Sequence, residues 1–102
     1  MENKMKNKNF LKNKTILEIK FNTLLSDERR EEIRELIEDN QGIEILEMDI
    51  IYPKSRHGNL SILEIKFNTL LSDERIEEIR ELIEDNQGIE IVEINNKGVL
   101  KD

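Results

Sequence analysis

The side chains in this sequence most able to do chemistry are carboxylates, concentrated in two nearly identical stretches. DERREEIRELIEDN begins at Asp27, and DERIEEIRELIEDN begins at Asp73. Closely spaced carboxylates can hold divalent cations, but these stretches lack the ligand spacing of an EF-hand loop and contain no His. We therefore expect neither a metal site nor a cofactor. Two interpretations remain, a solvated face interleaved with arginines and a binding face for a basic partner.

Other residues typical of catalysis are few, since the chain has one His and no Cys. His57 lies beside Lys54 and Arg56 in the segment YPKSRHGN, where it could donate a proton or contact a phosphate. A solvated turn residue is the commoner role of such a His. Ser26 and Ser72 directly precede the acidic stretches and suit helix N-caps, which argues against a His-based triad. We predict that the protein is not an enzyme.

The two acidic stretches belong to a longer internal repeat. Residues 15–48 match residues 61–94 at 30 of 34 positions, with an offset of 46. The four differences are Thr15/Ser61, Arg30/Ile76, Leu46/Val92 and Met48/Ile94. The second of them makes the later copy more apolar, so it is the first place to look for a docking surface found in one half only.

Each copy of the repeat reads as strand, helix, strand. TILEIKFN alternates apolar and polar residues, which is typical of a half-buried strand. Ile33, Leu36 and Ile37 form an apolar stripe at spacings of three and four, which predicts a helix that ends before Gly42.

The segment GIEILEMDIIY, which follows the first helix, predicts a second strand in which Leu46, Met48 and Ile50 point inward. The outward face of the sheet would then carry five isoleucines: Ile16, Ile45, Ile51, Ile62 and Ile91. Several isoleucines on one open face favour a contact surface, which either a second copy of the chain or the N-terminal segment would cover. A homodimer is therefore one expectation.

Two copies in tandem predict the order β-α-β-β-α-β. The strands would lie near residues 15–22, 43–52, 61–68 and 89–95, and the helices near 27–40 and 73–86. This order resembles the ferredoxin-like plait of the α+β class, a four-stranded antiparallel sheet with two helices on one face. We expect a single domain over 15–95, with a turn between the halves at 52–59 and a C-terminal tail at 96–102.

The resemblance implies that the first and third strands are antiparallel neighbours, so the repeated strand should pair with its own copy. The most favourable register sets Glu18 against Lys66. A shift of two residues would instead oppose Glu18 and Glu64, which like charge disfavours. Each half could then complete the other within one chain, or by exchange of βαβ halves between two chains.

Functional families built on this plait carry features that can be compared with this chain. RNA-recognition domains stack bases on outward aromatic residues of the central strands, whereas Phe21 and Phe67 point inward here. Copper chaperones have a Cys pair after the first strand, and amino-acid-sensing ACT domains often have a Gly there; this chain has NTLLSDER. Direct nucleic-acid binding and metal transport are thus disfavoured, and ligand binding of the ACT kind is weakened.

Charge divides the chain unevenly. The first 14 residues hold five Lys and one Glu, whereas the remainder holds 11 basic and 22 acidic residues. Such a body repels nucleic acids and anionic membranes and attracts basic protein surfaces. We expect the basic segment 1–14 to be disordered. The chain shows neither the apolar run of a signal peptide nor that of a membrane helix, which favours a cytoplasmic location.

Size, charge and the scarcity of catalytic groups favour a small non-catalytic module that binds a protein with a basic surface. A phage or mobile-element inhibitor that occupies a nucleic-acid-binding site would fit this description. Its partner-binding residues would be the glutamates of the two helix faces: Glu28, Glu31, Glu35, Glu38, Glu74, Glu77, Glu81 and Glu84. The alternatives are a homo-oligomeric regulatory domain that binds a small ligand between subunits, and an engineered or recently duplicated scaffold.

Overall fold

A computed structural model describes residues 14–54 and 60–99. Its elements are β1 (Thr15–Phe21), α1 (Asp27–Gln41), β2 (Ile45–Ile51), β3 (Ser61–Phe67), α2 (Asp73–Gln87) and β4 (Ile91–Val99). The four strands form one antiparallel sheet in the order β2-β3-β1-β4. The predicted ferredoxin-like order and α+β class are thus confirmed. His57, Arg56 and most of the N-terminal basic segment lie outside the described residues.

The core forms between the two helices and one face of the sheet. In β1 and β3 every second residue is buried, which matches the predicted alternation. Both helices pack on that face, because their buried isoleucines share one cluster with the inward residues of the strands. The members of this cluster that are 0% exposed are Leu17, Ile19, Phe21, Ile33, Ile37, Leu63, Ile65, Phe67, Ile79 and Ile83.

Both helices begin and end at the predicted caps. Ser26 Oγ accepts a hydrogen bond from the Arg29 backbone N–H at 3.1 Å, and the second copy repeats this contact at Ser72. Gly42 adopts a left-handed conformation with φ of 64°, and its N–H donates to the Glu38 carbonyl at 3.0 Å. A residue with a Cβ atom would be strained there, so glycine ends the helix.

Each edge strand contains a β-bulge near its start. In β2, Ile45 lies opposite Phe67 and Glu47 lies opposite Lys66, so Leu46 is the extra residue. Ile45 is consequently only 3% exposed, whereas Leu46 is 44% exposed. The prediction that Leu46 points inward and Ile45 outward is therefore wrong. Beyond the bulge the predicted orientation is correct, since Met48 and Ile50 pack against the core.

The same bulge occurs in β4, where Val92 is the extra residue between Ile91 and Glu93. Ile91 is buried in the core, so its predicted place on the outward face is also wrong. A bulge adds one residue to a period-two pattern, and alternation alone cannot reveal which residue is added.

The register of β1 with β3 differs by two residues from the predicted one. Glu18 lies opposite Glu64 rather than Lys66, so that prediction is wrong. The observed register pairs all seven residues of both strands, from Thr15 opposite Phe67 to Phe21 opposite Ser61 in the same ladder. The predicted register would leave the first two residues of each strand without a partner in the ladder.

Buried hydroxyl groups at the start of β1 and β3 favour the observed register. Ser61 Oγ accepts a hydrogen bond from the Leu25 N–H at 2.9 Å and donates to the Thr23 carbonyl at 2.7 Å. In the other half, Thr15 Oγ1 accepts from the Leu71 N–H at 2.9 Å. These bonds satisfy buried backbone groups, and such groups are more costly to leave unpaired than exposed like charges.

Residues at the inner end of each predicted tail belong to the folded body. Residues 96–99 continue β4, beyond the predicted end of the strand near residue 95. Lys14, the last residue of the segment predicted to be disordered, is 3% exposed and donates from Nζ to Asn68 Oδ1 at 2.8 Å.

Candidate functional site

The first arginine of each helix is engaged at the end of the other helix. Arg75 donates from Nη2 to the Gln41 backbone carbonyl at 2.7 Å and from Nε to Gln41 Oε1 at 2.9 Å. Arg29 donates from Nη1 to the Gln87 carbonyl at 3.3 Å. Neither helix has a basic residue in its own last turn, so these guanidinium groups supply the positive charge that a helix C-terminus favours. The two contacts also place the helices antiparallel.

The later arginine of each helix pairs with glutamates of the same helix. Arg34 lies 3.8 Å from a carboxylate oxygen of Glu31, and its Nε lies 3.8 Å from Glu38. In the second copy, Arg80 occupies the equivalent position between Glu77 and Glu84. These are the i,i+3 and i,i+4 spacings at which side chains on a helix meet.

Two of the eight predicted partner-binding glutamates have a structural role. Glu38 Oε2 accepts a hydrogen bond from the Ile45 N–H at 3.1 Å, and Glu84 Oε2 accepts one from the Ile91 N–H at the same distance. Both glutamates are half-buried, and each joins its helix to the start of the following strand. They are therefore less accessible to a partner than the other six.

The other six glutamates are exposed on the helices. Glu31 and Glu77 are the members of this group that pair with an arginine. No ion pair within the described part of the chain involves the remaining four, which are Glu28, Glu35, Glu74 and Glu81. They form the uncompensated part of the predicted face, and we call these four residues the acidic helix face.

A shallow groove of about 310 Å³ borders the acidic helix face. It lies between the end of α1 and the outer side of α2, and its lining combines three carboxylates with two amide side chains and one apolar residue. The lining residues are Asn40, Gln41, Glu78, Glu81, Leu82 and Asp85. A negative concave surface of this composition suits a long basic side chain better than an anion.

The difference between Arg30 and Ile76 changes the surface of the first half and not that of the second. Ile76 is buried in the core, so it adds no apolar docking surface. Arg30 instead lies within 4 Å of Asp27 and Glu31, and its Nε is enclosed without a hydrogen-bond partner in the described structure. It lines a groove of about 230 Å³ beside β2, together with Arg34 and the bulge residues.

The open face of the sheet carries ion pairs between each central strand and its neighbouring edge strand. Lys20 Nζ lies 3.3 Å from Glu93, and Lys66 Nζ lies 3.0 Å from Glu47. The hydrogen bond and the charge of Glu47 raise the pKa of Lys66 above its ordinary value of 10.5.

The apolar part of the open sheet face is smaller than predicted. Ile45 and Ile91 belong to the core, as described above. Ile16 and Ile62 are half-buried, and Ile51 is 45% exposed. Three isoleucines among these ion pairs make a mixed surface rather than a continuous apolar one.

Residues 14–54 and 60–99 contain no group of three or more His, Cys, Asp or Glu side chains arranged to hold a metal ion. Neither described helix is long and apolar enough to cross a membrane. In comparisons with known proteins, the sequence matches no family model and no curated protein is significantly similar to it.

Proposed function

We propose that this protein is a non-catalytic module that binds a basic protein surface through the acidic helix face. The observation that carries the proposal is the use of arginines within the molecule. Arg29 and Arg75 are engaged at helix ends, and Arg34 and Arg80 are engaged with their own helices. Within residues 14–54 and 60–99, the acidic helix face therefore has no ion-pair partner and is available to positive charge from outside.

The two helices are antiparallel and carry equivalent residues. The carboxylates of the acidic helix face on one helix are therefore related to those on the other by a local two-fold axis. Such an array accelerates association with a positively charged groove and makes binding sensitive to salt. A basic groove of this kind is what nucleic-acid-binding proteins present to phosphates. The module would act as an inhibitor that occupies such a groove, as phage or mobile-element proteins would do against a host enzyme.

The test uses a variant in which Glu28, Glu35, Glu74 and Glu81 are replaced by Lys. The matched control replaces four glutamates that lie off the helices by Lys. They form two equivalent pairs, Glu44 with Glu90 and Glu47 with Glu93. Each reversal changes the charge by two, so both variants move from a formal net charge of −7 to +1. Circular dichroism verifies that both variants retain the fold, since exposed charges contribute little to stability.

Each immobilised protein is then exposed to a host lysate, and the retained proteins are identified by mass spectrometry with and without excess duplex DNA. We expect a stoichiometric basic partner that the wild type and the control variant retain, that the helix variant loses and that DNA displaces. Equal retention by the helix variant would exclude the acidic helix face as the binding surface. A melting shift with a small ligand, in the absence of any partner, would favour the oligomeric regulatory domain.

A further inference from the structure

All three ladders of the sheet join one half of the chain to the other. β1 pairs with β3 and β4, and β2 pairs with β3. Among the described strands, no ladder joins two strands of the same half. Neither half therefore has a strand partner of its own, and an unpaired strand exposes its backbone and its apolar face.

We call the interface between the two halves, residues 15–51 and 61–99, the seam. Several of its contacts occur twice, and in the second occurrence both partners are displaced by the repeat offset of 46 residues. The duplicated pairs are Arg75–Gln41 with Arg29–Gln87, Lys66–Glu47 with Lys20–Glu93, and Leu71–Thr15 with Leu25–Ser61. Each half thus contributes the same hydrogen-bond donors and acceptors to these contacts as the other half does. This property defines an isologous interface, in which one surface patch binds its own copy.

We infer that the seam is an interaction surface for a second copy of this chain. Two chains form a half-exchanged dimer, in which each folded body contains the first half of one chain and the second half of the other. Ile51 lies opposite Ile62 at the ends of β2 and β3. In the monomer the paired strands β2 and β3 belong to one chain, and in the dimer they belong to different chains, which is the main feature that differs between the two forms.

A contact at the seam that has no duplicate favours one pairing of the halves over another. Lys97 Nζ lies 3.7 Å from Glu18 and 3.6 Å from Glu64. The position equivalent to Lys97 in the first half is Ile51. If two first halves paired, two copies of Glu18 would face each other and neither half would supply this lysine. Pairing of a first half with a second half is therefore favoured. In a complex of two chains, such pairing leaves neither half of either chain without a partner.

The chain concentration during refolding determines how much half-exchanged dimer forms, and the seam makes later exchange slow. The two halves of one chain meet at an effective concentration of about millimolar, because a short connection tethers them. Refolding at comparable chain concentrations therefore yields half-exchanged dimer together with monomer. Separation of the halves breaks all three ladders, so the dimer persists after dilution, whereas a dimer formed by surface contact dissociates.

The first experiment refolds the full chain from denaturant at low and at millimolar concentration and measures mass by light scattering after chromatography. We expect monomer from dilute refolding. Concentrated refolding should give a species of twice the mass that survives dilution for hours with the same circular dichroism spectrum. Monomer alone at every concentration, or a dimer that dissociates at once, would overturn the inference.

The second experiment shortens the connection. Deletion of 53–60 leaves only Tyr52 and Ser61 between the opposed residues Ile51 and Ile62. A two-residue hairpin favours Gly, Asn or Asp, which this joint lacks. We expect a folded dimer from dilute refolding, whereas a control that replaces 53–60 with eight Gly and Ser residues remains monomeric. Two outcomes would contradict formation of the seam between two chains. In one the deletion variant is a folded monomer, and in the other it is unfolded while the control is folded.

The third experiment identifies the paired halves in full-length chains, which contain no native Cys. Chains with Glu18→Cys and chains with Glu64→Cys are refolded together at millimolar concentration and then oxidised. Directly opposed strand residues lie within disulfide range. We expect a disulfide between the two kinds of chain, with several-fold less from either kind refolded alone. Links that form only between two Glu18→Cys chains would contradict the inferred pairing.

Discussion

Glu18 and Glu64 face each other across the two central strands, where like charges would ordinarily oppose the pairing. Lys97 lies within 3.7 Å of both carboxylates, and Asn95 donates a hydrogen bond to Glu18 at 3.2 Å. The electrostatic cost of this register is therefore reduced by a residue of β4, outside the repeated segment. The repeat contributes two equivalent acids, and its non-repeated continuation contributes the lysine between them.

Replacement of Lys97 by Ala should lower the free energy of unfolding by about 0.5 to 1 kcal/mol, since the ion pairs are partly exposed. Urea denaturation measures this change. The same substitution in a chain with Glu18→Gln and Glu64→Gln is the control, and there it should have almost no effect. An equal loss in both backgrounds would mean that Lys97 stabilises the strand by packing alone.

The arginines that cross between the helices should differ in strength. Arg75 makes two hydrogen bonds to Gln41 at 2.7 and 2.9 Å, whereas Arg29 makes one to Gln87 at 3.3 Å. Arg75→Met should therefore cost about 1 to 2 kcal/mol and Arg29→Met less than about 1 kcal/mol. Methionine keeps the apolar stem, so chemical denaturation of the two variants compares the caps directly. A larger loss at Arg29 would refute this ranking.

The bulges predict losses of stability of very different size for neighbouring residues. Ile45→Thr introduces a hydroxyl group into the core and removes apolar volume, so we expect a loss of about 2 to 3 kcal/mol. Leu46→Thr changes an exposed bulge residue and should stay within about 0.5 kcal/mol of the wild type. Ile91 and Val92 repeat the comparison in the second half. Thermal or urea unfolding of the four variants tests the bulge assignment, which would be wrong if the order of each pair were reversed.

The ion pair of Lys66 with Glu47 has a predictable dependence on pH. Glu47 raises the pKa of Lys66 in the folded state, so the pair stabilises the fold below pH 10.5. This contribution is lost as the pH rises through the folded-state pKa, because the lysine then becomes neutral in both states. Glu47→Gln should lower the pKa of Lys66 in an NMR titration. The stability difference between the wild type and Glu47→Gln should shrink in alkaline solution; a difference that grows there would contradict the assignment.

Local patterns predicted the order of the elements and their caps, because the residues that determine them are close in sequence. Ser26 is three residues from the N–H that it accepts, and Gly42 directly follows the helix that it ends. The strand register depends on distant partners, such as Ser61 with Leu25. The bulge at Leu46 likewise appears only when β2 is set against β3.

The acidic helix face was only partly predictable for the same reason. The abundance of glutamates is visible in the sequence, and the six exposed ones lie on the helices as expected. The engagement of Arg29 with Gln87 joins residues that are 58 positions apart, and no local pattern indicates it. The contact of Glu38 with the Ile45 N–H was missed as well, although its spacing of seven residues recurs at Glu84 and is a usable signal.

The single difference between the helices that reaches the core provides the last prediction. Ile76 is 9% exposed and packs in the core, whereas Arg30 at the equivalent position has weak ion pairs near 3.7 to 3.9 Å and an enclosed Nε without a hydrogen bond. Arg30→Ile should therefore raise the free energy of unfolding by about 1 kcal/mol, since the added apolar area is buried beside β2. The reciprocal change Ile76→Arg should lower it by about 2 to 3 kcal/mol, because charge would enter the core. Urea denaturation of both variants measures the two effects. Destabilisation by Arg30→Ile would show that its ion pairs with Asp27 and Glu31 outweigh the apolar gain and that the first half has diverged to keep a charge at this place.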